Sequence, residues 1–157
     1  LYVPNGREIT DRHYAYKLQF LYALARYAES RAQSKLLLTG DFNIAPRDED
    51  VWDIEAFRGK THVTEPERAA FQMLEEAGLE EVTRRFTEEQ RWTYFDYKSL
   101  RFQKNEGMRI DFQLASRSLA ATVQSAQVDM VERAGDKTSD HCLLLADYDL
   151  PDFDSVR

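Results

Sequence analysis

Apolar residues recur at three-to-four spacing between Asp11 and Arg31, where Leu18, Leu21, Tyr22, Ala25 and Ala28 fall on one side and no Gly or Pro intervenes. That period predicts a helix. Lys35 to Thr39 then reads as a short apolar strand stopped by Gly40. A second helix is marked by its ends: Thr64 as N-cap, Pro66 just inside, Glu67 three after the cap and Gly78 past the last turn. Phe71 and Leu74, with Met73 beside them, supply its buried side. Trp92 to Tyr97, Met108 to Ala115, Ala121 to Met130 and Cys142 to Tyr148 are further candidate strands, with Gly107 and Gly135 in the turns between. Helices and strands intermixed in this order predict one layered α+β domain. The pattern leaves the strand order open.

Composition supports a globular reading. The chain has 157 residues, 43% hydrophobic and 31% charged, with no repeats or low-complexity linker. A chain of this length buries roughly 70% of its unfolded surface, enough for a core. No apolar stretch approaches the roughly 20 residues that cross a bilayer, and no basic segment followed by an apolar run opens the chain. A cytoplasmic location is the expectation. The lone Cys142 has no partner for an internal disulfide and reads as a small core residue.

The formal net charge of −7 argues against phosphate binding by the whole surface. One segment differs. From Arg84 to Arg109 there are seven positive residues against four negative, interleaved with Phe86, Trp92, Tyr94, Phe95, Tyr97 and Phe102. Basic groups mixed with aromatics suit a phosphate backbone with exposed bases. An amphipathic hairpin with a solvated face is the alternative.

Polar residues at strand ends carry the candidate chemistry. If the chain stays extended past Gly40, Asp41 and Asn43 point to one side while Phe42 and Ile44 point into the core. A carboxylate and a carboxamide would then stand together at a sheet edge, able to accept a proton from water and to donate to an oxyanion; a Gly-Asp turn with an Asn cap is the plainer reading. Met108-Arg109-Ile110-Asp111-Phe112 repeats the arrangement around Asp111. A carboxylate among apolar neighbours needs a partner, and Ser139-Asp140-His141 supplies one, since a carboxylate on one ring nitrogen fixes the histidine tautomer. Asp140 is free for a hard cation such as Mg²⁺. Asp48, Glu49 and Asp50 read as a solvated loop, and Lys17 as a solvated helix lysine rather than a phosphate contact.

Tyr2-Val3-Pro4-Asn5-Gly6, Gly40-Asp41-Phe42-Asn43-Ile44, Tyr94-Phe95-Asp96-Tyr97, Arg109-Ile110-Asp111 and Ser139-Asp140-His141, in this order and spacing, resemble successive motifs of the exonuclease III family. These are DNA-repair nucleases that cut at abasic sites and remove nucleotides from 3′ ends. The resemblance implies a four-layer α/β/β/α sandwich and a Mg²⁺ cofactor, with Mn²⁺ as a substitute. It implies roles for residues in turn. Tyr2 contacts the scissile phosphate or its leaving oxygen, and Asp41 orients or deprotonates the attacking water beside Asn43. His141, oriented by Asp111, stabilises charge on the phosphate, while Asp140 helps hold the metal. Tyr94 probes the DNA at a lesion, and Arg84, Arg85 and Arg109 of the basic segment are the expected DNA contacts on duplex DNA with abasic sites or 3′ ends.

The resemblance begins at the family's Tyr-Pro-Asn-Gly motif, so the first two-fifths of the usual domain, with an early Asn and a metal-binding Glu, is expected to be absent. A C-terminal portion alone exposes apolar surface. Pairing with a second copy, a retained N-terminal fragment or only marginal stability of the chain alone is therefore expected. Two other functions stay open on the residues themselves: a catalytically silent DNA-binding or assembly module, and a phosphodiesterase acting on a small or lipid phosphate.

Overall fold

The computed structural model describes residues 1–150. The first predicted helix forms as α1, Arg12–Ser30, started by Asp11, whose carboxylate accepts from the His13 amide. Strand β1, Leu37–Asp41, follows. After a 3₁₀ turn at Asp48–Asp50 and the short α2, Ile54–Phe57, comes α3, Glu65–Glu76. Its N-terminus carries the expected capping box: Thr64 and Glu67 satisfy each other's backbone amides, with Pro66 in the first turn. Met73 faces outward rather than inward.

Strand β2, Leu79–Glu81, was not foreseen, because three residues are too few to show a period. Trp92 to Tyr97 forms no regular strand; it makes bridges only at Tyr94, to Met108 and His141. Its aromatics pack instead, and Gly107 allows this, since a Cβ there would lie 2.5 Å from the Trp92 side chain. The remaining elements are β3, Asp111–Ser116; α4, Arg117–Ala120; β4, Val123–Asp129; α5, Met130–Arg133; and β5, Leu143–Tyr148.

These strands form two sheets. In one, β3 is central and antiparallel to both β1 and β2. The other is the antiparallel β4–β5 pair. Alternation along β3 decides what each face meets. Phe112 and Leu114 point towards α1 and α3, where they join Leu21, Ala25, Phe42, Phe71 and Leu74 in the main core. Phe42, Phe71 and Phe112 meet edge to face at centroid distances of 5.1–5.9 Å, a geometry worth about 0.5–1.5 kcal/mol per pair beyond the area buried. Gln113 and Ala115 point the other way. Gln113 donates to the Leu144 carbonyl (3.0 Å) and accepts from the Tyr148 hydroxyl (2.9 Å), joining the two sheets. Ala115 packs with Val82, Leu119 and Val123. The result is an α/β sandwich: a helix layer, the three-stranded sheet and the two-stranded sheet. Among the described residues, no helix is long and apolar enough to cross a membrane.

Candidate active site

The same alternation that buries Phe112 places Asp111 on the opposite face. Asp41 ends β1 and is the register partner of Asp111, so two carboxylates share one sheet edge. The first residues of the chain lie along this edge as well. Tyr2 bridges to Asp41, and the Val3 amide donates to the Asp41 carbonyl at 2.8 Å. Gly40 permits this approach: its φ is +136°, and a Cβ would fall 2.0 Å from the Leu1 carbonyl oxygen.

His141 completes the cluster from the loop before β5. Its Nδ1 lies 2.9 Å from Asp111 Oδ2 and 3.1 Å from Oδ1, and its Nε2 lies 3.9 Å from Asp41 Oδ2. Because a carboxylate accepts, Nδ1 carries the proton in the neutral ring. Burial alone would push the His141 pKa down, but the hydrogen bond and charge of Asp111, with Asp41 and Asp140 behind it, raise it above the usual value. Asp41 is pushed up to about 6, first by burial and then by the charge of Asp111.

Asn43 reaches Asp41 by a different route from the one expected. The chain does not stay extended; Asn43 takes a left-handed φ of +51°, which Asn tolerates better than most side chains. Its amide nitrogen donates to Asp41 Oδ2 and to the Val3 carbonyl, both at 2.9 Å. Its carboxamide oxygen accepts from Asn5 at 3.1 Å. Phe42 and Ile44 are fully buried, as the alternation implied.

These groups open onto a cavity of about 460 Å³, which Tyr2, Asp41, Asn43, Tyr94, Asp140 and His141 all line. Tyr2 is 62% exposed there. The Tyr94 ring lies 5.0 Å from the His141 ring; burial first, then the nearby carboxylates Asp96, Asp140 and Asp41, push its hydroxyl up to about 12, so it stays protonated. Hard oxygen donors suit Mg²⁺, which takes one or two carboxylates and completes its shell with water and substrate oxygens. Asp140 brings such a carboxylate to the cavity beside Asp41. Among the described residues no group of three His, Cys, Asp or Glu gathers as a cage.

Three readings of charged residues are corrected here. Arg109 is fully buried and bonds inward to Thr83, Thr87, Glu81 and the Arg91 carbonyl. It is a core residue, out of reach of DNA. Asp50 is likewise buried and accepts a two-pronged pair of bonds from Arg84 at 2.7 and 2.9 Å, so it is no solvated loop residue. Lys17 is buried as well. It lies four residues before Leu21 on the apolar stripe of α1, a spacing that could have revealed it. Arg84, held by Asp50, and Arg85, exposed and stacked 4.7 Å from the Phe86 ring, do not line the cavity.

Other residues join the site without having been foreseen. Asn5 lay in a quoted motif but was given no role. His62 had no local signal. It lines the cavity and its Nδ1 lies 2.5 Å from the Asn43 carbonyl, which can only accept. Its Nε2 is thereby left as an acceptor. Trp52 and Arg101 form a stacked pair at 4.4 Å on the cavity wall, with Arg101 also paired to Glu106.

Residues 5–141 match the family described as endonuclease/exonuclease/phosphatase. The chain belongs to that family. Its relatives include an exodeoxyribonuclease III from Haemophilus influenzae, 32% identical over 158 residues, covering 94% of this chain and 59% of the relative. Among solved structures, a 3′ phosphatase from Neisseria bound to a product DNA hairpin superposes with a TM-score of 0.90 at 36% identity, covering 96% of this chain and 60% of that one. An AP endonuclease from Archaeoglobus fulgidus gives 0.88 at 31%, covering 95% and 60%. The resemblance to the exonuclease III branch is thus supported by sequence and by fold. The chain spans about three-fifths of the length of these relatives.

Proposed function

We propose that this chain is the C-terminal portion of a metal-dependent DNA-repair hydrolase that cleaves phosphate esters at abasic sites and 3′ ends. The observation that carries this reading is that Asp41, Asn43 and His141 line one cavity, with Asp111 bonded behind His141, the four coming from three distant segments. The relatives favour DNA over a small or lipid phosphate, since their names speak of exodeoxyribonuclease, AP endonuclease and a DNA-bound 3′ phosphatase.

In this reading Asp41 accepts the proton of the attacking water. Its pKa of about 6 leaves it ionised at neutral pH yet basic enough for the transfer. Asn43 holds that carboxylate in one orientation and shields it from competing partners. His141, when protonated, presents Nε2–H to a phosphate oxygen as charge builds there, and Asp111 favours that form against the burial that opposes it. Tyr2, exposed beside Asp41, donates its hydroxyl to the phosphate or the leaving oxygen. Asp140 would hold Mg²⁺, which would supply neutralisation of phosphate charge and polarisation of water. Tyr94, on the cavity wall, meets the DNA at the lesion. Arg85 is available to the backbone away from this centre, whereas Arg84 is committed to Asp50.

An N-terminal portion would complete both the domain and the metal shell. Exposed apolar side chains on the two-stranded sheet and next to it, Leu143, Leu145 and Val131 at 82%, support such a partner, and a second copy of the chain is the other candidate. A cytoplasmic location accompanies this reading.

The test is cleavage of a labelled duplex carrying one abasic site, with Mg²⁺ or EDTA, by this chain and by a protein that extends before Leu1. Cutting by the longer protein with Mg²⁺ alone is expected. Cleavage of an inositol phosphate and not of the duplex would overturn the DNA assignment.

A further inference from the structure

The Lys17–Glu67 pair is fully buried, yet neither residue faces the cavity. Lys17 Nζ lies 2.5 Å from Glu67 Oε1 and 2.6 Å from the backbone carbonyl of Asn43, with the Asn5 carbonyl and Thr61 hydroxyl at 3.4 Å. Glu67 Oε1 also accepts from the Thr61 hydroxyl (2.7 Å) and the His62 amide (3.0 Å). Its Oε2 caps α3 through Thr64. One ion pair thus reaches α1, α3, the Tyr2–Gly6 stretch and the turn at Asn43.

If its only task were to hold α1 against α3, apolar residues of similar volume would serve as well or better, because burying two charges is costly. Apolar residues could not donate to the Asn43 carbonyl. That carbonyl belongs to a left-handed residue, whose backbone conformation needs support from its surroundings. Gly6 gives the lysine its path: at φ +85°, a Cβ there would lie 3.0 Å from Lys17 Cδ and 2.9 Å from Thr61 Oγ1.

We propose that the Lys17–Glu67 pair is a positioning device, which clamps the Asn43 carbonyl and so fixes the turn that presses the Asn43 carboxamide against Asp41. Its catalytic consequence rests on the hydrolase reading above; its structural core does not. Neither Lys17 nor Glu67 touches substrate.

The test uses the full-length protein with Lys17→Met and Glu67→Gln combined, which removes both charges and keeps a capping amide. A crystal structure of this variant is expected to show Asn43 out of the left-handed region and its bond to Asp41 broken. If the wild type cleaves DNA, kcat should fall about 10²-fold with KM nearly unchanged, the scale of a misplaced reacting group. An Asn43 turn that stays in place overturns the proposal, whether or not the wild type is active. Should the double variant fail to fold, Lys17→Met alone removes the donor to the Asn43 carbonyl, and the same displacement of Asn43 is expected; an unmoved Asn43 there overturns it equally.

Discussion

Asp41 and Asp111 are direct partners across the antiparallel β1–β3 pair, so two carboxylates are held against one histidine by the sheet itself. This closeness has an energetic cost. Like charges at short range, in a partly desolvated place, disfavour joint ionisation, and Asp41 is the group whose pKa rises.

The first prediction concerns Asp41→Asn. A carboxyl whose folded pKa, about 6, exceeds its ordinary 3.8 binds its proton more tightly folded than unfolded. Its contribution is favourable at low pH and is lost as pH rises through about 6. At pH 8 in EDTA, the Asn variant should therefore be more stable than the wild type, by about 1–3 kcal/mol. Denaturant unfolding at pH 8 and at pH 4 measures this, and the gain should shrink at pH 4. Cleavage should be almost abolished.

Activity should also follow the same titrations. Cleavage should rise with pH through about 6 as Asp41 ionises, and fall again above the raised pKa of His141. A pH profile of kcat/KM between 5 and 9 tests both limbs.

Asp111→Asn removes the charge, and weakens the hydrogen bond, that raise the His141 pKa against the effect of burial. The His141 pKa should fall, readable by NMR titration of its ring protons. A drop in kcat of about 10²–10⁴, the usual scale for a positioned acid or base, should accompany it.

Arg109→Met and Arg101→Ala should separate structure from binding. Arg109 is buried and paired with Glu81, so its loss leaves a carboxylate short of a partner and should cost about 3 kcal/mol of stability. DNA affinity per folded molecule should not change. Arg101, on the cavity wall over Trp52, should show the reverse: near-native stability and weaker DNA binding, measured by anisotropy at fixed salt.

Phe71→Ala tests the support under the site. Its ring meets both Phe42 and Phe112, the residues next to Asp41 and Asp111. A loss of about 3–5 kcal/mol is expected for an aromatic cavity of this kind, read from the denaturation midpoint.

Several of these features were legible locally. The α3 capping box and the α1 stripe depend on neighbours within a few residues and formed close to their expected bounds; β1 instead runs through Gly40 to Asp41, and β3 starts three residues later than expected, at Asp111. Asp41, Asn43, Asp111, Asp140 and His141 were picked out because polar residues broke apolar runs. The cavity then gathers four of them around its lining, and Asp111 is reached through His141.

The charged residues divide differently. Arg109 sits between Met108 and Ile110, and all three are buried because this stretch is covered on both faces, where alternation no longer separates inside from outside. Lys17, Asp50 and Glu67 are buried beside partners 26 to 50 residues away. The sequence by itself determined the two long helices with their caps and which polar side chains stand beside the strands, since these follow from spacing along the chain. Only the tertiary structure decided which charges meet solvent and which lock the core, because a charge can be buried only where a distant partner compensates its lost hydration.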